Sequence, residues 1–251
     1  MPKNASVTPT FPTEPNWPTE KARVTLPTRE QVLEMTVGLA ARIPGNIIEF
    51  GVAGGASTRV IRRTLTRHQR LQRRGPKKQV FACDSFEGLS EKFENAEVGT
   101  FAADPPKIAG VEMVVGYFEN SLTPELAKRV GSVAFASLDA DLYSSTMTAL
   151  RWLTPLLHTG SLLLFDEFIG EDASEKRALE DWCAESGTHV VVLAEFAREP
   201  SGWGPLPDRR VLAQVVGSND LDKSSIAFCP APNRIVRGGL RRISERLRGK
   251  K

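Results

Sequence analysis

Short apolar runs alternate with helical periodicity along most of this chain. Runs with the length of strands, mainly apolar, occur at 47–50, 79–83, 111–115, 133–138 and 161–165. The run at 133–138 is almost uniformly apolar, which is typical of a strand buried on both faces. Between these runs, apolar residues recur every three or four positions, which favours helices. The alternation predicts parallel β-α-β units in a doubly wound α/β sheet.

The predicted helices begin and end at residues that usually stand at such places. The first follows Thr28, an N-cap residue, and stops at Pro44 and Gly45. Later helices are predicted at about 57–71, 122–130, 144–157 and 174–185. Because each helix returns the chain across the sheet, the carboxyl ends of the strands should lie along one edge.

The last third of the chain changes this pattern. Strands are predicted at 189–194 and 210–216 with no helix between them. They should therefore pair as a hairpin, which completes a seven-stranded, mostly parallel sheet with an antiparallel edge strand. We divide the chain into an N-terminal arm at 1–27, one folded domain at 28–233 and a basic C-terminal tail at 234–251.

Composition and charge support a single domain. The 251 residues have a mass of 27.5 kDa, are 41% hydrophobic and 25% charged, and carry a net charge of +3. The basic tail favours a solvated terminus over a nucleic-acid or membrane contact. Three distant cysteines, no 18-residue apolar run and no N-terminal signal predict a cytoplasmic protein without disulfides or a membrane span. No nucleic-acid partner is expected.

A loop of small residues joins the first strand to the next helix. It reads Glu-x-Gly-x-Ala-x-Gly from Glu49 to Gly55. Glycines let the backbone approach a ligand, and the helix N-terminus offers free N–H groups. A nicotinamide site would prefer Gly-x-Gly-x-x-Gly with an acidic residue about 20 positions later. Here Asp84 comes later, so the loop favours another small-molecule cofactor.

Acidic residues follow three of the predicted strands. Asp84 follows the second, Asp139 and Asp141 the fourth, and Asp166 and Glu167 the fifth. Carboxylates that meet at one edge repel each other unless they share a proton or a cation. Oxygen ligands of this kind suit Mg²⁺ or Mn²⁺. The sequence therefore predicts a pocket with clustered acids at this edge.

Three runs near these acids make a more specific resemblance. They are DSFEGL at 84–89, SLDADLYSST at 137–146 and LLFDEF at 163–168. Together with the glycine loop they resemble the macrocin O-methyltransferase (TylF-type) family over roughly residues 45–185. These are metal-dependent class I enzymes that use S-adenosylmethionine (SAM) to methylate sugar hydroxyls in antibiotic biosynthesis. The resemblance implies a Rossmann-like fold, SAM, Mg²⁺ or Mn²⁺, and a glycosylated small-molecule acceptor.

The resemblance also implies roles for particular residues. The implied SAM-binding residues are Glu49, Gly51, Ala53, Gly55 and Ser57 for the amino-acid end, Asp84 for the ribose, and Phe86, Gly116, Tyr117 and Phe118 for the adenine. The implied metal ligands are Asp139, Asp166 and Glu167, and Asp139 or Asp141 would accept the proton. Ala53 stands where many relatives have glycine, and its Cβ is tolerable at negative φ. Glu167 replaces the usual second aspartate.

Several alternatives stay open at this point. An oxygenase on a similar fold would need two histidines and a carboxylate, and only His158 is expected near the relevant edge. A binding protein without catalysis would not need clustered acids. The loop at 86–110 is either a mobile lid over the pocket or an ordinary surface loop. Aromatic residues in the arm and near Trp203 favour a homo-oligomer.

Overall fold

The structure is a computed structural model that describes residues 27–71, 77–93, 96–168, 174–197, 209–217 and 227–228. The predicted basic tail and all but the last residue of the predicted arm lie outside the described residues. The strands are β1 (Asn46–Phe50), β2 (Val80–Asp84), β3 (Val111–Val115), β4 (Val133–Leu138), β5 (Leu162–Phe165), β6 (His189–Ala197), β7 (Arg209–Val216) and β8 (Ala227–Phe228). The helices are α1 (Arg29–Ala40), α2 (Ala56–Leu71), α3 (Phe118–Ser121), α4 (Pro124–Val130), α5 (Tyr143–Leu153) and α6 (Ser174–Ser186), with a 3₁₀ turn at Thr154–Leu156. No described helix has the length and apolarity needed to cross a membrane.

All strands belong to one sheet with the order β3-β2-β1-β4-β5-β7-β6-β8. The pairs from β3 to β5 are parallel. Strand β7 runs antiparallel between β5 and β6, and the two-residue β8 pairs antiparallel with β6 at the outer edge. The predicted α/β class, the seven main strands and the antiparallel edge are thus confirmed.

Helices cover both faces of the sheet, as the doubly wound prediction requires. Successive residues of β1 point to opposite faces, so Ile47 packs with α1 and α2 while Ile48 packs with α4, α5 and α6. Strand β4 is buried along its whole length, which confirms the prediction from its uniformly apolar sequence. The central strands are therefore held from both sides, and their carboxyl ends form a rigid edge.

The start of α1 is fixed by a capping box. The backbone N–H of Gln31 donates to the hydroxyl of Thr28 at 3.2 Å, and the Gln31 side chain accepts from the Thr28 N–H at 2.9 Å. This confirms Thr28 as the predicted N-cap. It also sets the position of Arg29, the first residue of the helix.

Two predicted helices are shorter than expected. The segment at 122–130 begins only at Pro124, with Thr123 as its N-cap, because Leu122 leaves the helical conformation. Helix α5 passes into the 3₁₀ turn, which contains Pro155, a residue with no N–H to continue the helix.

The prediction that His158 lies near the carboxyl edge of the sheet is wrong. Helix α5 carries the chain back across the sheet, so His158 precedes β5 at the amino edge. There its Nε2 lies 3.0 Å from the carbonyl oxygen of Pro44. This position removes the histidine that the oxygenase alternative needed.

Candidate active site

A cavity of about 330 Å³ lies at the carboxyl edge of the sheet. Its walls come from the start of α1 and from segments after β1, β2, β3, β4 and β5. The volume lies in the range of small-molecule sites, roughly 300–1,000 Å³. The cavity therefore joins the glycine loop and the acidic residues that the sequence placed at this edge.

The glycine loop lies close against the loop after β4. Gly51 has φ 86°, and a Cβ at this position would lie 1.8 Å from the carbonyl oxygen of Asp139. Gly54 lines the cavity, and a Cβ there would meet nothing within 4 Å. Ala53 has φ 45° and is exposed, so the condition of a negative φ for a tolerable Cβ is not met. The loop thus leaves open space at Gly54 where part of a ligand, such as a carboxylate, can approach the protein backbone.

The carboxylate of Asp84 is held by backbone amides. Oδ2 accepts from the N–H groups of Val52 at 2.6 Å and Ala53 at 2.8 Å, and Oδ1 accepts from Phe86 N–H at 2.8 Å. Oδ2 thus accepts two hydrogen bonds, while Oδ1 accepts one and has capacity for a further one. Asp84 lines the cavity, so its position fits the binding of ribose hydroxyls.

Some predicted cofactor residues line the cavity and others do not. Those at the wall are Gly51, Ala53, Ser57, Asp84, Tyr117 and Phe118. Those outside the wall are Glu49, Gly55, Phe86 and Gly116. A Cβ on Gly55 would lie 2.8 Å from Pro106, and Phe86 packs on Val52 and Ala82. The direct contact of these four residues with a cofactor stays a prediction.

Glu49 is a buried acid beneath the glycine loop. Its Oε2 accepts from the Thr58 hydroxyl at 2.5 Å, and its side chain has no solvent exposure. Burial raises the pKa of Glu49 to about 7, although hydrogen bonds from Ser57 and Thr58 oppose this effect. The structure thus gives Glu49 a bond that ties β1 to the first turn of α2.

The carboxylates after β4 and β5 share one arginine. Leu138 and Phe165 are paired in the sheet, so Asp139 and Asp166 follow at neighbouring positions. Arg29 at the start of α1 forms a short ion pair with Asp139, and its Nε lies 3.4 Å from Asp166 Oδ1. The sequence predicted that the two carboxylates lie together. It gave no signal for Arg29, which is 110 residues from Asp139.

A second arginine and a further acid lie behind this pair. Arg210 on β7 donates from Nε to Asp166 Oδ1 at 2.5 Å, and both side chains are 7% exposed. Glu175 on α6 is fully buried and accepts from the Glu167 N–H at 3.0 Å. Burial raises the pKa of Glu175 well above its ordinary value. Neither Arg210 nor Glu175 was identified from the sequence.

The arginines decide the charge state at this end of the cavity. Burial and the neighbouring Asp166 raise the pKa of Asp139 to about 6, while Arg29 opposes the rise. Burial lowers the pKa of Arg29, but Asp139 and Asp166 raise it by more, so the guanidinium stays protonated. Near neutral pH the site therefore contains carboxylates bound to a fixed cation.

Comparison with known proteins shows what part of the chain is similar to. Residues 48–168 match a family described as "Methyltransferase domain". A relative from Streptomyces olivaceus, named 8-demethyl-8-(2,3-dimethoxy-alpha-L-rhamnosyl)-tetracenomycin-C 4'-O-methyltransferase, is 28% identical over 152 residues, or 52% of this chain. The chain covers 55% of that relative's length, about half of it.

Solved structures of methyltransferases share the α/β fold of this chain. The O-methyltransferase NovP matches with a TM-score of 0.55 and 19% identity, over 75% of this chain and 80% of that chain. A calicheamicin methyltransferase matches with a TM-score of 0.54 and 20% identity over the same shares. At these identities the likeness concerns the fold.

The implied metal ligands do not fit a divalent cation in this arrangement. Arg29 contacts both Asp139 and Asp166, and Arg210 takes a further bond to Asp166. The described part of the chain has no group of three or more His, Cys, Asp or Glu side chains placed to hold a metal. One oxygen of each aspartate, Asp139 Oδ2 and Asp166 Oδ1, is already bound to guanidinium groups.

The loop after β2 forms a further wall of the cavity. Its cavity-lining residues are Ser85, Gly88, Leu89, Ser90 and Phe101. Leu89 N–H donates to the Thr100 carbonyl and Gly99 N–H donates to the Leu89 carbonyl, both at 2.9 Å. This loop therefore borders the cavity, and its action as a lid stays a prediction.

Proposed function

We propose that this protein is a SAM-dependent O-methyltransferase of the TylF type, whose acceptor is a sugar hydroxyl on a glycosylated natural product. One observation carries the proposal. Asp84 and the glycine loop line the same cavity as Asp139 and Asp141. A cofactor bound at the ends of β1 and β2 therefore lies near carboxylates that can take the proton of the acceptor hydroxyl.

The cofactor side is assigned to residues whose geometry suits SAM. Asp84 accepts hydrogen bonds from the ribose. Three backbone amides already hold its carboxylate in a fixed position for this contact. The amino-acid end lies along Gly51 and Gly54, beside Ser57 in the first turn of α2. Tyr117 borders the adenine from the segment after β3.

The acceptor side is assigned to the loop after β4. SAM supplies an electrophilic methyl group on a sulfonium. In-line attack forms the bond from the acceptor oxygen to the methyl carbon and breaks the bond from that carbon to sulfur. The hydroxyl proton passes to Asp139 or Asp141, both of which line the cavity. Asp141 has φ 56°, in the left-handed region that aspartate adopts more readily than most residues.

The acceptor class is supported by the name of the relative from Streptomyces olivaceus, which acts on a rhamnosyl tetracenomycin. The divalent metal that the resemblance implies is left out of this proposal, because Arg29 occupies the carboxylates. A homo-oligomer and a cytoplasmic location stay predictions from the sequence.

Calorimetric titration with SAM tests the cofactor half. We expect micromolar binding to the full chain, weakened about 10- to 100-fold in Asp84→Asn, since a charge-assisted hydrogen bond contributes about 1.5–3 kcal/mol. Asp104→Asn is a matched control, because Asp104 is exposed on the loop before β3. This control should bind SAM as the unchanged protein does.

Methyl transfer tests the acceptor half. SAM with a labelled methyl group is incubated with rhamnosylated and other deoxysugar natural products, and labelled products are identified by mass spectrometry. We expect transfer to a sugar hydroxyl. No binding of SAM or of its demethylated product would contradict the proposal, and label only on the aglycone would contradict the sugar acceptor.

A further inference from the structure

Arg29 occupies a bridging position between two neighbouring strand ends. Its guanidinium contacts Asp139 after β4 and Asp166 after β5. It reaches there from the first turn of α1, which the capping box at Thr28 holds in place. The side chain of Arg29 is 37% exposed and also lines the cavity. The backbone of Arg29 is thus held by the helix cap, and part of its side chain is accessible to a ligand in the cavity.

Two arginines offset the charges of Asp139 and Asp166 without a metal ion, while Glu167 adds a further carboxylate to the cavity wall. Arg29 and Arg210 provide two positive charges next to the two carboxylates of Asp139 and Asp166. A divalent cation between these carboxylates would stand beside the guanidinium of Arg29, where like charges repel. It would also have to replace two ion pairs, one of them short. The arrangement therefore opposes metal binding unless Arg29 withdraws.

We propose that Arg29 takes, between Asp139 and Asp166, the place of the divalent cation that the family resemblance implies. The inference rests on the proposed methyl transfer at this site. In this arrangement Arg29 is a positioning residue that fixes the Asp139 carboxylate at the acceptor end of the cavity. A guanidinium has five N–H donors, so donors beyond those used by the carboxylates can meet an acceptor oxygen. Methyl transfer then needs no added metal.

Titration with Mn²⁺, followed by the electron paramagnetic resonance of the free ion, tests this inference. The unchanged full-length protein should show no Asp139-dependent site with millimolar Mn²⁺. Arg29→Ala removes the bridging cation and should bind Mn²⁺ at least about tenfold more tightly. The double variant Arg29→Ala with Asp139→Asn should lose this gain. A residue with only a structural role would not create a metal site when removed.

Two variants control the result. Arg63→Ala removes an arginine that also pairs with two carboxylates, Glu30 and Glu34, but on an exposed helix surface. Its Mn²⁺ titration should match that of the unchanged protein. Arg29→Gln replaces Arg29→Ala if the alanine variant does not fold. The same gain in Mn²⁺ affinity is expected from it.

Two outcomes overturn the inference. One is a Mn²⁺ site in the unchanged protein that Asp139→Asn removes, because metal and Arg29 would then coexist. The other is the absence of any gain in folded Arg29→Ala or Arg29→Gln protein. SAM calorimetry on the same preparations tests the proposed function separately. Loss of SAM binding concerns the methyltransferase proposal, whereas the Mn²⁺ results concern Arg29.

Discussion

The two halves of the cavity hold their carboxylates in different ways. In the cofactor half, Asp84 is bound by N–H groups of the adjacent β1 loop and of its own turn. In the acceptor half, Asp139 and Asp166 are bound by Arg29 and Arg210, which come from distant parts of the chain. The first arrangement follows from the backbone of two neighbouring parallel strands. The second depends on particular side chains and can change without a change of fold.

The largest expected effect concerns the buried ion pair of the acceptor half. Arg210→Met should reduce the free energy of unfolding by about 3–5 kcal/mol, because it leaves Asp166 without one of its buried cationic partners. Arg209→Met is the matched control. Arg209 pairs with Glu195 at 2.6 Å, but the side chains are 42% and 32% exposed, so the expected loss is at most about 1 kcal/mol. Urea unfolding measures both values.

Equal losses in the two arginine variants would contradict this interpretation. They would mean that burial of the Arg210–Asp166 pair does not set its contribution. A smaller loss for Arg210→Met than for Arg209→Met would show that Arg29 alone suffices to compensate Asp166. Either result would weaken the contrast between the two halves of the cavity.

A second prediction concerns the buried acid of the cofactor half. Burial raises the pKa of Glu49 from its ordinary 4.5 to about 7 in the folded state. Its contribution to stability is therefore fully present below the pKa of the unfolded chain and is lost as pH rises through about 7. Glu49→Gln stays neutral and keeps an acceptor for Thr58. Relative to the unchanged protein, this variant should gain up to about 3 kcal/mol of stability between pH 4.5 and pH 7.

Unfolding by urea at several pH values measures this gain. The difference between Glu49→Gln and the unchanged protein should grow with pH and become constant above about pH 7. A difference that is the same at every pH would contradict the raised pKa of Glu49. A difference that falls with pH would mean that the folded protein stabilises the charged carboxylate instead.

The same contrast explains what could be predicted from the sequence. Asp84, Asp139 and Asp166 were placed at one edge because strand ends and residue spacing determine their positions. Arg29 and Arg210 were not predicted, since nothing local marks an arginine that is 110 or 44 residues from its partner in the chain. Similarly, the apolar pattern predicted the strands to within a few residues, but it gave no sign that Arg29 would contact two of the implied metal ligands.

The smallest expected effect concerns the backbone of the glycine loop. Ala53 has φ 45°, and a side chain in the left-handed region costs about 1–2 kcal/mol. Ala53→Gly removes this strain but adds freedom to the unfolded chain, which costs about 0.4–1 kcal/mol. The free energy of unfolding should therefore rise by roughly 0.5 kcal/mol, while the Asp84 hydrogen bond to the N–H of residue 53 is kept.

Gly51→Ala is the opposite change in the same loop. At φ 86° its Cβ would lie 1.8 Å from the carbonyl oxygen of Asp139, so the loop has to move away from the acceptor half. We expect this variant to lose both stability and SAM binding, whereas Ala53→Gly keeps SAM binding. Equal SAM binding by the two variants in calorimetry would contradict a loop whose backbone path positions the cofactor. Weaker SAM binding by Gly51→Ala than by Ala53→Gly would instead show that the close backbone contact between Gly51 and Asp139 positions the cofactor. No side chain fits between these two backbone segments.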